Sequence, residues 1–316
     1  MTLKTPEIAS PHRDGPQGAA QIASQNLRGI VAMLASAAAF MCNDAITKLN
    51  LEELPLGEIM FLRNAVASLL CVALAVWMSA LRPLRAFAVP AVALRTLGEV
   101  STTILYLSAL ALMPLANLTF LMQSTPLAIT AASALLLGER VGWRRWLATL
   151  VGLSGVLLIV RPGTSGYNSG TLLALGAIAT VVLRDLSTRR IPVGIPSLLV
   201  TLISSVTIML AGLAMGQFET WLMPLAPTWI KLIASAVFLS LALYFGVTAM
   251  RLGELSVITP FRFASVLFAL AMGYAVWGDI PDQWALLGTA IVISAGLYTL
   301  HRQQVRRRAA QNSAPA

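Results

Sequence analysis

Gly29–Leu49 reads GIVAMLASAAAFMCNDAITKL, and only Asp44 and Lys48 in it carry charge. A run of about twenty apolar residues matches the hydrocarbon thickness of a bilayer when coiled as a helix. Runs of the same kind recur at 56–78, 90–112, 115–137 and 146–162. They continue at 170–187, 193–215, 229–250, 256–277 and 284–301. Turn chemistry separates them: Pro55-Leu56-Gly57, Pro114, Pro162-Gly163, Pro192 to Pro196, Pro224 to Pro227 and Pro281. The pattern predicts an all-α polytopic membrane protein with ten transmembrane helices.

Composition narrows the class. The chain is 57% hydrophobic and 11% charged, against roughly 25% charged in soluble proteins. The net charge of +9 does not point to nucleic acid, because the cations sit in loops and at run ends, with no polar domain to present them. Arg28, Arg82, Arg85, Arg140, Arg144, Arg145, Arg184, Arg189, Arg190, Arg251 and the C-terminal arginines share one set of connections. The opposite set holds Lys48, Arg161 and Lys231 beside Glu52, Glu53, Glu219, Asp279 and Asp282. This bias places both termini in the cytoplasm and agrees with an even span count. All seven tryptophans fall at predicted span ends, the depth that amphipathic indoles prefer. Residues 1–27 read as a disordered cytoplasmic tail without a cleaved signal peptide, and 303–316 as a basic cytoplasmic tail. Cys42 and Cys71 lie inside apolar runs, which argues against a disulfide or metal framework.

The halves resemble each other. Tyr106–Gly163 and Tyr244–Arg302 both run helix, tight turn, helix, acidic corner, Gly-bearing helix. Gly138-Glu139 matches Gly278-Asp279, and Gly155-Val156 matches Gly296-Leu297. Five spans per half invert the second relative to the first. The expected units are therefore two inverted five-helix repeats, 28–163 and 170–302, an arrangement common in secondary transporters.

Gly138-Glu139-Arg140, GLSGVLLIVRPG at Gly152–Gly163, ELSVITPFRFASVLFAL from Glu254, and Gly278-Asp279 before a Gly-bearing last span together resemble the EamA family of the drug/metabolite transporter superfamily. The resemblance covers about residues 29–302. It implies a ten-helix carrier of a small polar metabolite in a bacterial-type inner membrane, with both termini inside. It does not choose among amino-acid derivatives, vitamins such as riboflavin, nucleosides and metallophores, nor between import and export. Asp279 stands where the family more often has Glu.

Candidate site residues follow from cost. A charge inside a membrane is expensive and marks function by default. Asp44, Arg63, Arg95, Glu99 and Arg262 stand in the spans. Asp44 and Arg63 fall at similar depth and can pair. Arg95 and Glu99 are one turn apart on one helix face. Arg63 or Arg262 suits a carboxylate or phosphate, because guanidinium presents a donor fork. Asp44 or Glu99 suits an amine or a proton. The competing reading of all these groups is structural ion pairing between helices. Asn43 and Gln123 add uncharged polarity, and Pro126 and Pro260 free backbone carbonyls in spans four and nine. Tyr106 and Tyr244 can stack on an aromatic substrate or simply pack. Glu58 reads as solvated near a span end, and Glu139 and Asp279 as helix caps. The expected substrate-binding set is Asn43, Asp44, Arg63, Glu99, Tyr106, Gln123, Tyr244 and Arg262. No cofactor, catalytic or metal site is expected: His12 and His301 lie in the tails, and no P-loop or nucleophile elbow appears. The expected partners are the bilayer and a small molecule, not nucleic acid, with a homodimer left open. A channel or facilitator is the rival reading, and an intramembrane enzyme a remote one.

Overall fold

The structure is a computed structural model and describes residues 16–77, 89–138, 142–161, 168–192, 195, 197–252 and 255–312. Glu139, Arg140, Arg82, Arg85, Pro162 and Gly163 lie outside the described residues.

Among the described residues the chain is helical, with no strand. The first half holds α1 (Pro16–Leu51), α2 (Leu56–Trp77), α3 (Pro90–Leu112), α4 (Leu115–Met122), α5 (Thr125–Leu137) and α6 (Trp143–Val160). The second holds α7 (Ser169–Thr188), α8 (Ser197–Met215), α9 (Ala226–Leu252), α10 (Leu255–Ile258), α11 (Ser265–Trp277) and α12 (Gln283–Asn312). A 3-10 turn over Thr259–Ala264 joins α10 to α11. Seven helical segments are long and apolar enough to cross a membrane, with α4–α5 counted as one and the 3-10 turn with α11 as another. The remaining expected spans coincide with α2, α3 and α6. Of these, Trp146–Val160 is apolar but short, and α3 is diluted by Arg95, Glu99 and three consecutive hydroxyl residues. The exterior is oily: Leu135, Leu136, Leu69, Leu267 and Ile230 are largely exposed, a surface suited to lipid rather than water.

Local chemistry sets the helix ends. Pro90 opens α3 at a position whose N–H has no helical partner anyway. Asn168 caps α7 by accepting from the Thr171 N–H at 3.0 Å. Asp282, not Asp279, caps α12, accepting from the backbone N–H groups of Trp284 and Ala285 at 2.9 and 2.8 Å. Gly138 and Gly278 end α5 and α11 with φ of +64° and +70°, a left-handed conformation that costs a residue with a Cβ. The two matched glycines of the sequence therefore do the same conformational work in each half.

Packing across the halves follows an exchange rule. The extensive contacts are α1 with α9, α3 with α7, α2 with α8 and α6 with α12, and α4 packs on α11. Counted as spans, one meets eight, three meets six, and two, four and five each meet their own counterparts. Two crossings are backbone to backbone. A Cβ on Gly57 would stand 2.8 Å from the Gly212 carbonyl oxygen, and one on Gly212 2.7 Å from that of Gly57. Gly155 and Gly288 reciprocate in the same way, at 2.7 and 2.5 Å. The largest core cluster, with Met60, Leu110, Leu115, Leu118, Leu121 and Leu127, draws on both halves.

The end of the molecule carrying Glu52, Glu53, Glu58, Glu219 and Asp282 is tied across the halves. Trp277 Nε1 donates to Glu52 at 2.9 Å, the Gly57 N–H to Glu219 at 2.9 Å, and Thr228 to Glu53 at 2.8 Å. Lys231 pairs with Glu53 and Arg161 with Asp282. Glu58, expected to be solvated, is instead 2% exposed and accepts from the Leu222 N–H at 3.0 Å. A buried carboxylate needs such a donor.

Candidate functional site

Asp44 and Arg63 each lie seven residues from the α1–α2 turn. At about 1.5 Å per residue both stand roughly 10 Å below it. Asp44 is buried and spends its carboxylate on neutral donors: Tyr106 Oη donates to Oδ2 at 2.6 Å and Asn43 Nδ2 to Oδ1 at 2.9 Å. Arg63 is an electrostatic neighbour of Asp44 and Tyr106, but the direct Asp44–Arg63 pair read from sequence does not form within salt-bridge distance. Tyr106, reaching in from α3, takes the place of the guanidinium. No hydrogen bond or ion pair engages Arg63 among the described residues, and the side chain is only half-buried. Its fork of donors stays uncommitted next to a carboxylate whose oxygens are already occupied.

Glu99 belongs to a different constellation. Arg95 approaches it at 3.6 Å from one turn away on α3, and Arg184 of α7 at 3.5 Å. Arg184 also meets Asp185 at 2.8 Å, and Arg95 donates to Ser204 of α8 at 2.6 Å. Gly98 makes room for this ladder, since a Cβ there would stand 2.9 Å from the Arg184 backbone nitrogen. Arg262, carried on the 3-10 turn, is exposed and lies in the field of Asp185 and Arg184, with no hydrogen bond or ion pair among the described residues. Arg184 reads from sequence only as loop charge, and Asp185 is not singled out there. The signal that they join Glu99 is a contact spanning about 85 residues, which spacing does not carry.

Gln123 sits in the α4–α5 break, where its Nε2 donates to Ser265 Oγ at 2.6 Å and joins the breaks of the two halves. Ser124 and Thr125 close the same break by donating to Leu121 and Met122 carbonyls at 2.7 and 2.6 Å. Tyr244 stands apart: it is 65% exposed and packs edge-on against Phe245, on the outer surface of α9. The structure thus gathers Asn43, Asp44, Tyr106 and Arg63 in one place and Glu99 and Arg262 in another, with Gln123 at the joint. Two open apolar grooves, one between α6 and α12 and one between α3 and α8, reach neither Asp44 nor Arg63. Among the described residues no three His, Cys, Asp or Glu side chains cluster to hold a metal.

Comparison with known proteins agrees with this architecture. The EamA-like transporter family matches residues 27–161. The riboflavin transporter of Vibrio cholerae is 29% identical over 61% of this chain, and the matched stretch spans 65% of that protein's length. The pseudopaline exporter of Pseudomonas aeruginosa is 26% identical over 84% of this chain and 94% of its own, so the likeness extends into the second half. A solved crystal structure superposes with a TM-score of 0.58 over 90% of this chain and 98% of that one, at 20% identity, and shares the fold. A multi-pass helical protein with charged groups inside its helices is what these likenesses describe: over residues 27–161 the chain is similar to the EamA-like transporter family, and over most of its length to transporters of small metabolites.

Proposed function

We propose that this chain carries a small polar metabolite across a bacterial inner membrane by gradient-driven alternating access. The observation that carries the reading is Arg63: a guanidinium in α2 with no hydrogen bond or ion pair among the described residues, beside an Asp44 carboxylate held by Tyr106 and Asn43. Such a pair offers a donor fork to an oxyanion and, at Asp44, a group for an amine or a proton. It suits a zwitterionic substrate such as an amino-acid derivative. The printed names of the relatives, a riboflavin transporter and a pseudopaline exporter, support a polar metabolite and leave the direction open.

The proposed architecture is ten spans in two inverted repeats, 28–163 and 170–302, with both termini cytoplasmic. The exchange rule of helix contacts supports it, because a two-fold axis in the membrane plane makes such swaps. The reciprocal glycine crossings and the left-handed Gly138 and Gly278 fit the same axis. A reporter fused after Gly166 should read periplasmic and one after Arg308 cytoplasmic; the opposite result at either site rejects the topology.

The mechanism is tested in proteoliposomes holding the full chain. Metabolite profiling of a deletion strain and an overexpressor supplies the candidate solute, seen as opposite shifts in inside and outside pools. Uptake of that solute should saturate, show counterflow and collapse when gradients are dissipated. Flux that never saturates and shows no counterflow identifies a channel. Flux that stops without ATP and ignores gradients rejects the carrier.

A further inference from the structure

The face of α1 beside Asp44 carries polar atoms that no group among the described residues satisfies. Asn43 Oδ1, Thr47 Oγ1 and both amide atoms of Asn50 are buried without a hydrogen-bond partner. The three residues are 3%, 1% and 1% exposed. At about 100° per residue, positions 43, 47 and 50 fall within roughly 60° of one another and form a single stripe. Ser36 shares that face and donates to the Ala242 carbonyl of α9 at 2.7 Å, so the stripe runs along the α1–α9 seam between the halves. Leaving each group dry would cost about 1–3 kcal/mol, and water is the usual partner of buried polar atoms that protein leaves unsatisfied.

Its two ends have different surroundings. Asn50 adjoins the α1–α2 turn, where Glu52 and Glu53 are exposed and concentrate cations from solution. Asn43 donates to the Asp44 carboxylate with its nitrogen and leaves its oxygen facing the stripe. From Asn43 to Asn50 the stripe is about 10 Å long. One hard cation binds its oxygens at about 2.3–2.6 Å and cannot touch both ends, whereas a short file of waters can.

We propose that this stripe is a hydrated proton path from the acid-bearing end of the molecule to Asp44, the coupling site of the carrier. A hydronium at the mouth passes its proton along waters held by Asn50, Thr47 and Asn43. At the inner end an O–H bond forms on an Asp44 oxygen as one breaks on the last water, and the mouth is left with a neutral water. No electrons are exchanged. On release to the opposite side Asp44 returns to the carboxylate. The charged and titratable groups around Asp44 are Arg63 from α2 and Tyr106 from α3. One turn from Asp44 on α1, Lys48 donates to the Met113 carbonyl; the 3-10 turn against α1 carries Arg262, α9 carries Lys231, paired with Glu53, and the exposed Tyr244, and α11 carries the exposed Tyr274. The cross-half ties of the acid-bearing end therefore shut that side to a metabolite while the stripe still admits a proton. The path rests on the carrier reading for its purpose and not for its geometry.

The test needs no substrate. Full-length protein in liposomes, with the acid-bearing end outward as checked by protease access to the C-terminal tail, receives an external jump from pH 8 to pH 5. Infrared absorbance of the protonated carboxyl is followed in time. The band should be lost in Asp44→Asn. Thr47→Val and Asn50→Leu should slow its rise at least tenfold, Thr47→Ser should restore the wild-type rate, and Ser36→Ala should not alter it. Thr47→Ala serves if the valine variant does not fold. A band that survives Asp44→Asn, or one that rises at the wild-type rate in both stripe variants, overturns the path. So does a band change produced by sodium at constant pH. Rapid loading of Asp44 in a protein that moves no metabolite would keep the path and sink the carrier.

Discussion

Two charged clusters lie within the helices, and they are built on opposite terms. Around Glu99 every acid is answered by a base: Arg95 and Arg184 flank it, and Arg184 also holds Asp185. Around Asp44 the acid is answered by neutral donors, and among the described residues no hydrogen bond or ion pair engages the nearby Arg63, which Asp44 meets only through its field. Both look alike as intramembrane ions. The difference teaches that a paired ladder joins α3 to α7, whereas the Asp44–Arg63 neighbourhood keeps guanidinium donors that no described protein group takes up.

The sharpest way to break that distinction is to remove Glu99. Glu99→Leu strands two arginines, and breaking a buried pair costs about 3–5 kcal/mol. With a quarter of these side chains accessible, the expected loss is near the lower figure, read as a marked drop in thermal stability. Partial recovery on adding Arg95→Leu, with Arg184 still held by Asp185, would confirm the ladder, and an unaltered melting temperature in Glu99→Leu would reject it.

Arg63 should behave in the reverse sense. Arg63→Lys keeps charge but loses the fork, so the protein should insert and melt normally while transport falls at least tenfold. If Arg63 is merely structural, Arg63→Ala lowers the yield of folded protein, Asp44→Ala added to it restores the yield, and transport by Arg63→Lys stays at the wild-type level.

Legibility in the sequence divides along the same line. Seven of the ten expected spans could be read because hydropathy is local, and the Arg95–Glu99 contact because it recurs at a helical turn. Asp44, Arg63 and Tyr106 were identifiable as residue types out of place in hydrocarbon. Their pairing was not, because whether Asp44 turns to Arg63 or to Tyr106 depends on how α3 approaches α1. Tyr244 shows the same limit, since an aromatic in a span reads alike whether it faces a cavity or lipid. Thr47 and Asn50 were within reach, sharing a helical face with Asn43, but uncharged side chains in an apolar run draw less notice than ions. Glu58 misled because depth was judged by distance from the span end, without the Leu222 N–H that meets its carboxylate from the α8–α9 connection.

A smaller effect separates the two donors on Asp44. Tyr106→Phe removes a hydrogen bond to a carboxylate, worth about 1.5–3 kcal/mol, and should reduce transport while leaving the stabilising effect of Glu99 intact in a double-mutant cycle. Non-additivity between Tyr106→Phe and Glu99→Leu would join the two clusters into one.

The smallest effect belongs to the exposed Glu53, a control for ion pairs in water. The hydrogen bonds from Lys231 and Thr228 hold its carboxyl below the ordinary 4.5. A lowered folded value means that the stabilisation is present above the unfolded value and lost as pH falls through the folded one. The difference in melting temperature between wild type and Glu53→Gln should be small, constant above about pH 5.5, and absent in strong acid. A difference that grows on acidification would contradict the pairing.

The reciprocal glycines have a mechanical consequence. At Gly57 with Gly212, and again at Gly155 with Gly288, one backbone rests on another with no side chain between them. Contacts of that kind have no rotamers to yield, and they tolerate rolling better than separation. In the proposed rocking of the halves, the two crossings would serve as bearings, because a close backbone contact can roll more readily than it can part.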